Sequence, residues 1–73
     1  MIDDVINSSY YCLRSIRDAE RHKDFKEVME SDLNRASGYL DFLQREAPLL
    51  YNSLLPEYMK VANKLYISLD VIK

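Results

Sequence analysis

Apolar side chains recur at helical spacing through the middle of this chain, and this pattern restricts its fold more than any other feature. Between Phe25 and Ala47 they follow one another in steps of four, four, three, four, three and four residues. Such steps place all of them on one face of a helix. The pattern predicts a helix over residues 25–46 that ends before Pro48, because proline disfavours helical geometry in the residue preceding it. The predicted core and dimer seam comprises Phe25, Met29, Leu33, Ala36, Leu40 and Leu43.

A second apolar stripe precedes this segment and predicts a helix over residues 3–22. Asp3 is a suitable N-cap, because its carboxylate can accept hydrogen bonds from the free N–H groups of the first turn. The stripe comprises Ile2, Ile6, Ser9, Leu13 and Ile16, and it is widened by Val5, Cys12 and Ala19.

The join between these two helices, near Lys23, has two interpretations. Asp24 and Glu27 form the pattern of a capping box, which favours a new helix start and hence a break. If His22 instead faces inward, the two stripes merge into one N-terminal helix longer than about 40 residues. A break gives a bundle, and continuity gives an elongated dimer resembling a coiled coil. We favour the break, because so long a helix has little to pack on within one molecule.

A third helix is predicted over residues 54–72. Ser53 is its expected N-cap, and Pro56 lies in its first turn, where a missing backbone N–H removes no hydrogen bond. Its stripe comprises Leu54, Tyr58, Ala62, Leu65, Leu69 and Ile72. One glycine and two prolines supply too few turns for a strand-rich fold, so the sequence predicts a single all-α domain over residues 1–73.

The size of the chain predicts that it associates. A domain of 73 residues buries only about 60% of the surface that its unfolded chain exposes, so its own core is marginal. Cys12 is the only cysteine and His22 the only histidine, which excludes an internal disulfide and a structural zinc site. Small domains without these supports commonly gain stability from another chain. We therefore expect a small helical bundle completed by homodimerisation.

Large apolar side chains outside the stripes support the same expectation. Tyrosine, phenylalanine and methionine are enriched at protein interfaces, and this chain contains six tyrosines. The alternative is that the rings cover the edges of a small core with their hydroxyls in water. We favour an interface. The surplus residues are Tyr10, Tyr11, Tyr39, Phe42, Met59, Val61 and Ile67.

Three arginines form a basic stripe on the first predicted helix, one turn after a tyrosine. The expected partner surface comprises Tyr10, Arg14, Arg17, Arg21, Tyr39 and Phe42. Nearby carboxylates offer pairing of Arg14 with Asp18 and of Arg17 with Glu20. Three interpretations stay open: salt bridges, docking to an acidic protein, or contact with nucleic-acid phosphates on which Tyr10 stacks a base. We favour salt bridges.

The sequence offers little site chemistry. Asp18 and His22 are four residues apart and are expected to form a surface pair, and Cys12 is expected to be a small core residue. Gly38 predicts either a close helix crossing, for example at a dimer axis, or a local kink. We expect no catalytic, metal or cofactor site and no small-molecule substrate. A solvated acidic face, without the Glu-x-x-His spacing of carboxylate metal sites, comprises Glu27, Glu30, Asp32 and Asp41.

These features together predict an interaction protein. The net charge of −2 gives no general attraction to nucleic acid or anionic lipid, and neither a secretion signal nor an apolar span is evident, so we expect a cytoplasmic chain. Small acidic helical proteins of this type are common among accessory and regulatory proteins of phages and mobile elements. We expect a helical homodimer that binds and modulates a larger protein partner. The alternative is a nucleic-acid-associated regulator that uses Arg14, Arg17 and Arg21.

Overall fold

Within the residues that the structure describes, the chain folds into three helices. The computed structural model describes the backbone of residues 2–72 and the side chains of residues 3–65. Helix α1 spans Ile2–Arg21, α2 spans Lys26–Glu46 and α3 spans Pro48–Ile72, and the described backbone contains no strand. The predicted all-α fold is confirmed. The molecule measures 44 × 17 × 14 Å.

The helices alternate in direction. A four-residue connection returns α2 alongside α1, and the Sγ of Cys12, in the middle of α1, lies 3.7 Å from the carbonyl oxygen of Ala36, in the middle of α2. Helix α3 runs parallel to α1, because Lys64 Nζ lies 3.2 Å from Glu20 Oε1 near the end of α1. Helices α1 and α2 form the most extensive pair, and α3 packs mainly against α2.

The chain breaks between the first two helices, as we expect from the sequence. Residues 22–24 form a turn after Arg21, and α2 begins at Lys26. The alternative of one continuous N-terminal helix is therefore not adopted. The predicted capping box is wrong, because Phe25 rather than Asp24 is the N-cap residue, with φ −121° and ψ 90°, and no side chain caps the helix.

The turn is secured to α2 by His22. Its Nδ1 donates a hydrogen bond to Asp32 Oδ2 at 2.9 Å, and Arg35 Nη1 lies 4.0 Å from the other oxygen of that carboxylate. The predicted surface pair of Asp18 and His22 is wrong, because the chain turns at His22 and directs the imidazole toward α2. Asp18 lies 3.7 Å from Arg21 instead. Asp32 is 7% exposed, so it does not belong to the solvated acidic face that the sequence predicts.

The core lies where the three helices meet. Phe25 corrects the predicted seam: it is 62% exposed, because it precedes the first turn of α2 and its backbone is not helical. The other five seam residues are buried inside this chain, where α1 and α3 cover them. The buried side chains of α2 and α3 include Met29, Leu33, Ala36, Leu40, Leu43, Val61, Ala62 and Leu65.

Helix α1 presents its small side chains to the core, which moves its buried face away from the predicted stripe. Ile6 is 57% exposed and Leu13 is only half-buried. The close approach of Cys12 to the Ala36 backbone is possible because both side chains are small, and Ile16 is the large side chain that α1 buries beside them. Asp3 is not the N-cap, because α1 begins at Ile2 and places Asp3 inside the first turn. The buried side chains are Cys12, Ser15, Ile16 and Ala19.

Helix α3 begins six residues before its predicted start. Pro48 is its first residue, where proline removes no hydrogen bond, and Ala47 alone connects it to α2. Ser53 is not a cap, because its Oγ donates to the Leu49 carbonyl at 3.1 Å within the helix. Pro56 lies in the helix interior rather than in the first turn.

Several other sequence predictions have mixed outcomes. Val61 is buried in the core instead of forming surplus surface, whereas Met59 is 47% exposed. A Cβ built on Gly38 meets nothing within 4 Å, so this glycine does not mark a close helix crossing within the chain. Four predicted apolar positions lie outside the described side chains, namely Ile2, Ile67, Leu69 and Ile72.

Candidate interaction surface

One side of α1 is apolar and is covered by neither of the other helices. Ile6 is 57% exposed and Tyr10 is 59% exposed, and Leu13 is half-buried beside them. Spacings of four and three residues place these side chains on one face, on the side of the helix away from Cys12 and Ala19. Isolated exposed apolar residues are common, but two exposed ones with a half-buried one beside them on one helix form a patch.

Three arginines continue this face toward the end of α1. Together with Tyr10, Leu13 and Asp18 they line a shallow groove of about 280 Å³. We call the whole surface the α1 outer face. It comprises Ile6, Tyr10, Leu13, Arg14, Arg17 and Arg21.

The arginines do not form the pairs that the sequence suggests. Asp18 lies nearest Arg21, at 3.7 Å, and Glu20 accepts a hydrogen bond from Lys64 at 3.2 Å. This hydrogen bond and the ammonium charge lower the pKa of Glu20 below its ordinary value. Among the described side chains, neither Arg14 nor Arg17 forms an ion pair. Two guanidinium groups are therefore available to a partner.

A second groove, of about 300 Å³, lies beside the first, between α1 and α2. Tyr11 stacks on Tyr39 with ring centroids 6.1 Å apart, and Tyr10 meets the edge of Tyr11 at 5.3 Å. Arg14 lines both grooves, and Arg35 lines the second. The structure thus brings Tyr39 next to the predicted basic stripe. The sequence places Tyr11 among the surplus interface residues but not beside the basic stripe, and it gives Arg35 no role, because both positions depend on how α1 and α2 align.

Phe42 lies apart from these grooves. It is half-buried and packs against the core, and it lines neither depression. Its predicted place in the partner surface is therefore not supported by the geometry.

Positive charge gathers along connected depressions of the surface. A further depression near the end of α1 is lined by Arg17, Arg21 and Lys23, and another at the turn is lined by Lys23, Lys26 and Lys64. Seven of the ten lysines and arginines of the chain line these four depressions, although the net charge is −2. Three of the twelve aspartates and glutamates also line these depressions, namely Asp18, Glu20 and Asp24, so the depressions carry an excess of positive charge that the overall charge does not indicate.

Cys12 and His22, the remaining residues with reactive side chains, both form contacts within the fold. Cys12 is fully buried and its Sγ donates weakly to the Ala36 carbonyl, and burial raises the pKa of the thiol to about 11. At neutral pH it is a thiol rather than a nucleophilic thiolate. His22 is engaged with Asp32. In the part of the chain that the structure describes, no three histidine, cysteine or acidic side chains come together as metal ligands.

Within residues 2–72 no helix is both long enough and apolar enough to cross a membrane. The α1 outer face combines an apolar half with a basic half. A comparison of the chain with protein-family models, curated proteins and solved structures finds no match.

Proposed function

We propose that this chain is a non-enzymatic protein-interaction module of the cytoplasm, a helical homodimer that binds and modulates a larger protein. Its role would be accessory or regulatory, of the kind that phages and mobile elements encode. One observation carries the proposal: the α1 outer face exposes more than half of Ile6 and Tyr10, and no other part of the described chain covers them.

The exposed apolar side chains favour association on energetic grounds. Full burial of a large apolar side chain contributes about 1.5 to 3 kcal/mol, so covering the exposed halves of Ile6 and Tyr10 contributes roughly 1 to 2 kcal/mol each. A symmetric dimer contains two copies of each side chain, so each contribution counts twice. A 73-residue domain has a total stability of only about 4 to 11 kcal/mol, so this gain is large.

The larger partner is expected to be acidic. Arg21 and Lys23 line the depression beyond the apolar patch, and Arg14 and Arg35 line the groove between α1 and α2. Exposed aromatic and arginine side chains are the types that dominate binding energy in protein interfaces. Complementary charge also accelerates the encounter of the two proteins. An acidic surface with apolar anchors fits these grooves.

The dimer is tested by sedimentation equilibrium of the wild type and of Tyr10→Glu. The wild type is expected to dimerise at micromolar concentration, and Tyr10→Glu to be a folded monomer, because a charge on the apolar patch cannot be buried without a partner. Met59→Glu changes another half-exposed apolar residue, on α3, and is the matched control, which should stay dimeric. A folded wild-type monomer at these concentrations would contradict the proposal.

Binding of a partner is tested by co-purification from the native cell. The wild type is expected to retain an acidic protein that an Arg21→Glu, Lys23→Glu double variant loses. Retention of the same proteins by both forms would contradict binding through the basic grooves.

The connected basic depressions also favour a second candidate, a nucleic-acid-associated regulator. Arg14, Arg17 and Arg21 would contact phosphates and Tyr10 would stack on a base. Fluorescence anisotropy with duplex DNA across a salt series decides between the two. Tight, steeply salt-dependent binding that is abolished by changing the three arginines to alanine would favour this candidate, and no binding at low salt would remove it.

A further inference from the structure

Asp3 lies on the same side of α1 as the outer face, and Asp3 and Arg17 are placed symmetrically about Tyr10. Asp3 lies seven residues before Tyr10 and Arg17 seven residues after it, each about 10 Å along the helix axis. Seven residues are close to two full turns, so all three lie on one face. Ile6 precedes Tyr10 by four residues, and Leu13 follows it by three. With Asp3 included, this side of α1 is acidic at one end, apolar in the middle and basic at the other end.

This order makes the face complementary to itself when it is reversed. In two antiparallel helices, positions equally far before and after the axis stand opposite each other, and a two-fold interface repeats each contact. An axis at Tyr10 places Asp3 opposite Arg17 of the second copy, and Ile6 beside the second copy's Leu13. A parallel arrangement would place like charges together, which is unfavourable.

The charges at the two ends are free to make this contact. Asp3 and Arg17 are both exposed, and within the described side chains neither forms an ion pair. Arg14 lies four residues after Tyr10, and its aliphatic stem can cover Ile6 of the other copy while its guanidinium stays in water.

We propose that two copies of this chain pair through their α1 helices in antiparallel orientation, with the two-fold axis at Tyr10 and with Asp3 of each copy against Arg17 of the other. The inference rests on the proposed homodimer and adds its register. Arg21 and Lys23, which line the depression beyond the apolar patch, then lie at both outer ends of the dimer. The acidic partner would bind at these ends, two sites to a dimer.

A charge-reversal experiment tests the register. Asp3→Lys is expected to weaken the dimer about tenfold, because it opposes Arg17 twice in each dimer. Arg17→Asp is expected to do the same against Asp3. The double variant exchanges the two charges and is expected to restore the wild-type dissociation constant to within about threefold, which a loss of helix stability would not do. The measurement is sedimentation equilibrium at low salt.

Asp4→Lys is the matched control. Like Asp3→Lys, it replaces an acidic residue in the first turn of α1 by lysine, so it alters the interaction with the helix dipole in the same way. Asp4, however, lies on a different side of the helix from Asp3. Its dimer is expected to be unchanged. A wild-type dimer that responds equally to Asp3→Lys and Asp4→Lys, or a double variant without rescue, would overturn the register and leave the dimer standing. A wild-type monomer would overturn the proposed dimer itself.

Discussion

Replacing His22 by alanine is expected to destabilise the fold, because this side chain secures the turn between α1 and α2. Its Nδ1 lies 2.9 Å from Asp32 Oδ2, and the side chain of Asp32 is only 9% exposed. A buried carboxylate that loses a hydrogen-bond partner retains the cost of its desolvation. Arg35, at 4.0 Å, is then the remaining described cation beside it.

The size of the effect follows from the burial of the pair. A hydrogen bond to a charged group contributes about 1.5 to 3 kcal/mol, but the His22 side chain is 43% exposed and water screens the contact. We expect the free energy of unfolding to fall by about 1 to 1.5 kcal/mol. In a domain of this size, that lowers the melting temperature by about 4 to 12 °C.

The assay is thermal and urea unfolding followed by circular dichroism, for His22→Ala, Asp32→Asn and the double variant. Because both residues belong to one contact, the double variant is expected to lose less stability than the sum of the two single losses. Lys23→Ala changes an exposed residue of the same turn and should unfold like the wild type. Additive losses, or a His22→Ala variant as stable as the wild type, would refute the reasoning.

Three further predictions concern the core and its edges. Leu43→Ala should lower the free energy of unfolding by about 2 to 5 kcal/mol, because Leu43 is fully buried. Phe25→Ala should change it by less than about 0.5 kcal/mol, because Phe25 is largely exposed. Equal losses of the two variants in urea unfolding would contradict the corrected seam. Gly38→Ala should raise the stability by about 1 kcal/mol and leave the dimer intact; a weaker dimer in sedimentation would place Gly38 in the interface. Cys12 should react with a thiol reagent only after unfolding. Burial raises the pKa of the Cys12 thiol from 9.0 to about 11, so the unfolded chain loses this proton at a lower pH than the folded chain. The free energy of unfolding should therefore fall as the pH rises from about 9 through 11. Unfolding measured across this pH range should show a smaller fall for Cys12→Ala.

The fold class and the positions of α1 and α2 follow from the spacing of apolar residues, from the scarcity of glycine and proline, and from the position of Pro48. The seam from Met29 to Leu43 is buried as its period predicts, because one stripe on α2 can meet both neighbouring helices. The start of α3 was missed because Ser53 and Pro56 resemble a helix start. Pro48 is an equally good first residue, and local signals cannot rank two such candidates.

The site was harder to predict because it depends on which face of α1 is buried. Ile6 and Leu13 carry larger side chains than Cys12 and Ala19, yet Cys12 and Ala19 face the core together with Ile16, because small side chains at the point of contact allow α2 to approach closely. Whether a helix buries its largest or its smallest apolar side chains depends on the distance to its neighbour, which a single sequence does not contain. The basic stripe was predicted, but its pairing was not, because Lys64 reaches Glu20 from α3.

Disulfide trapping at position 10 tests the central claim most directly. In a Cys12→Ala background, a Tyr10→Cys variant carries one thiol, which lies at the proposed two-fold axis. Mild oxidation is expected to join two such chains rapidly at micromolar concentration, whereas a Met59→Cys variant, on α3, should stay largely unlinked. Equal rates of linkage at the two positions, or none at position 10, would contradict a dimer built on the α1 outer face.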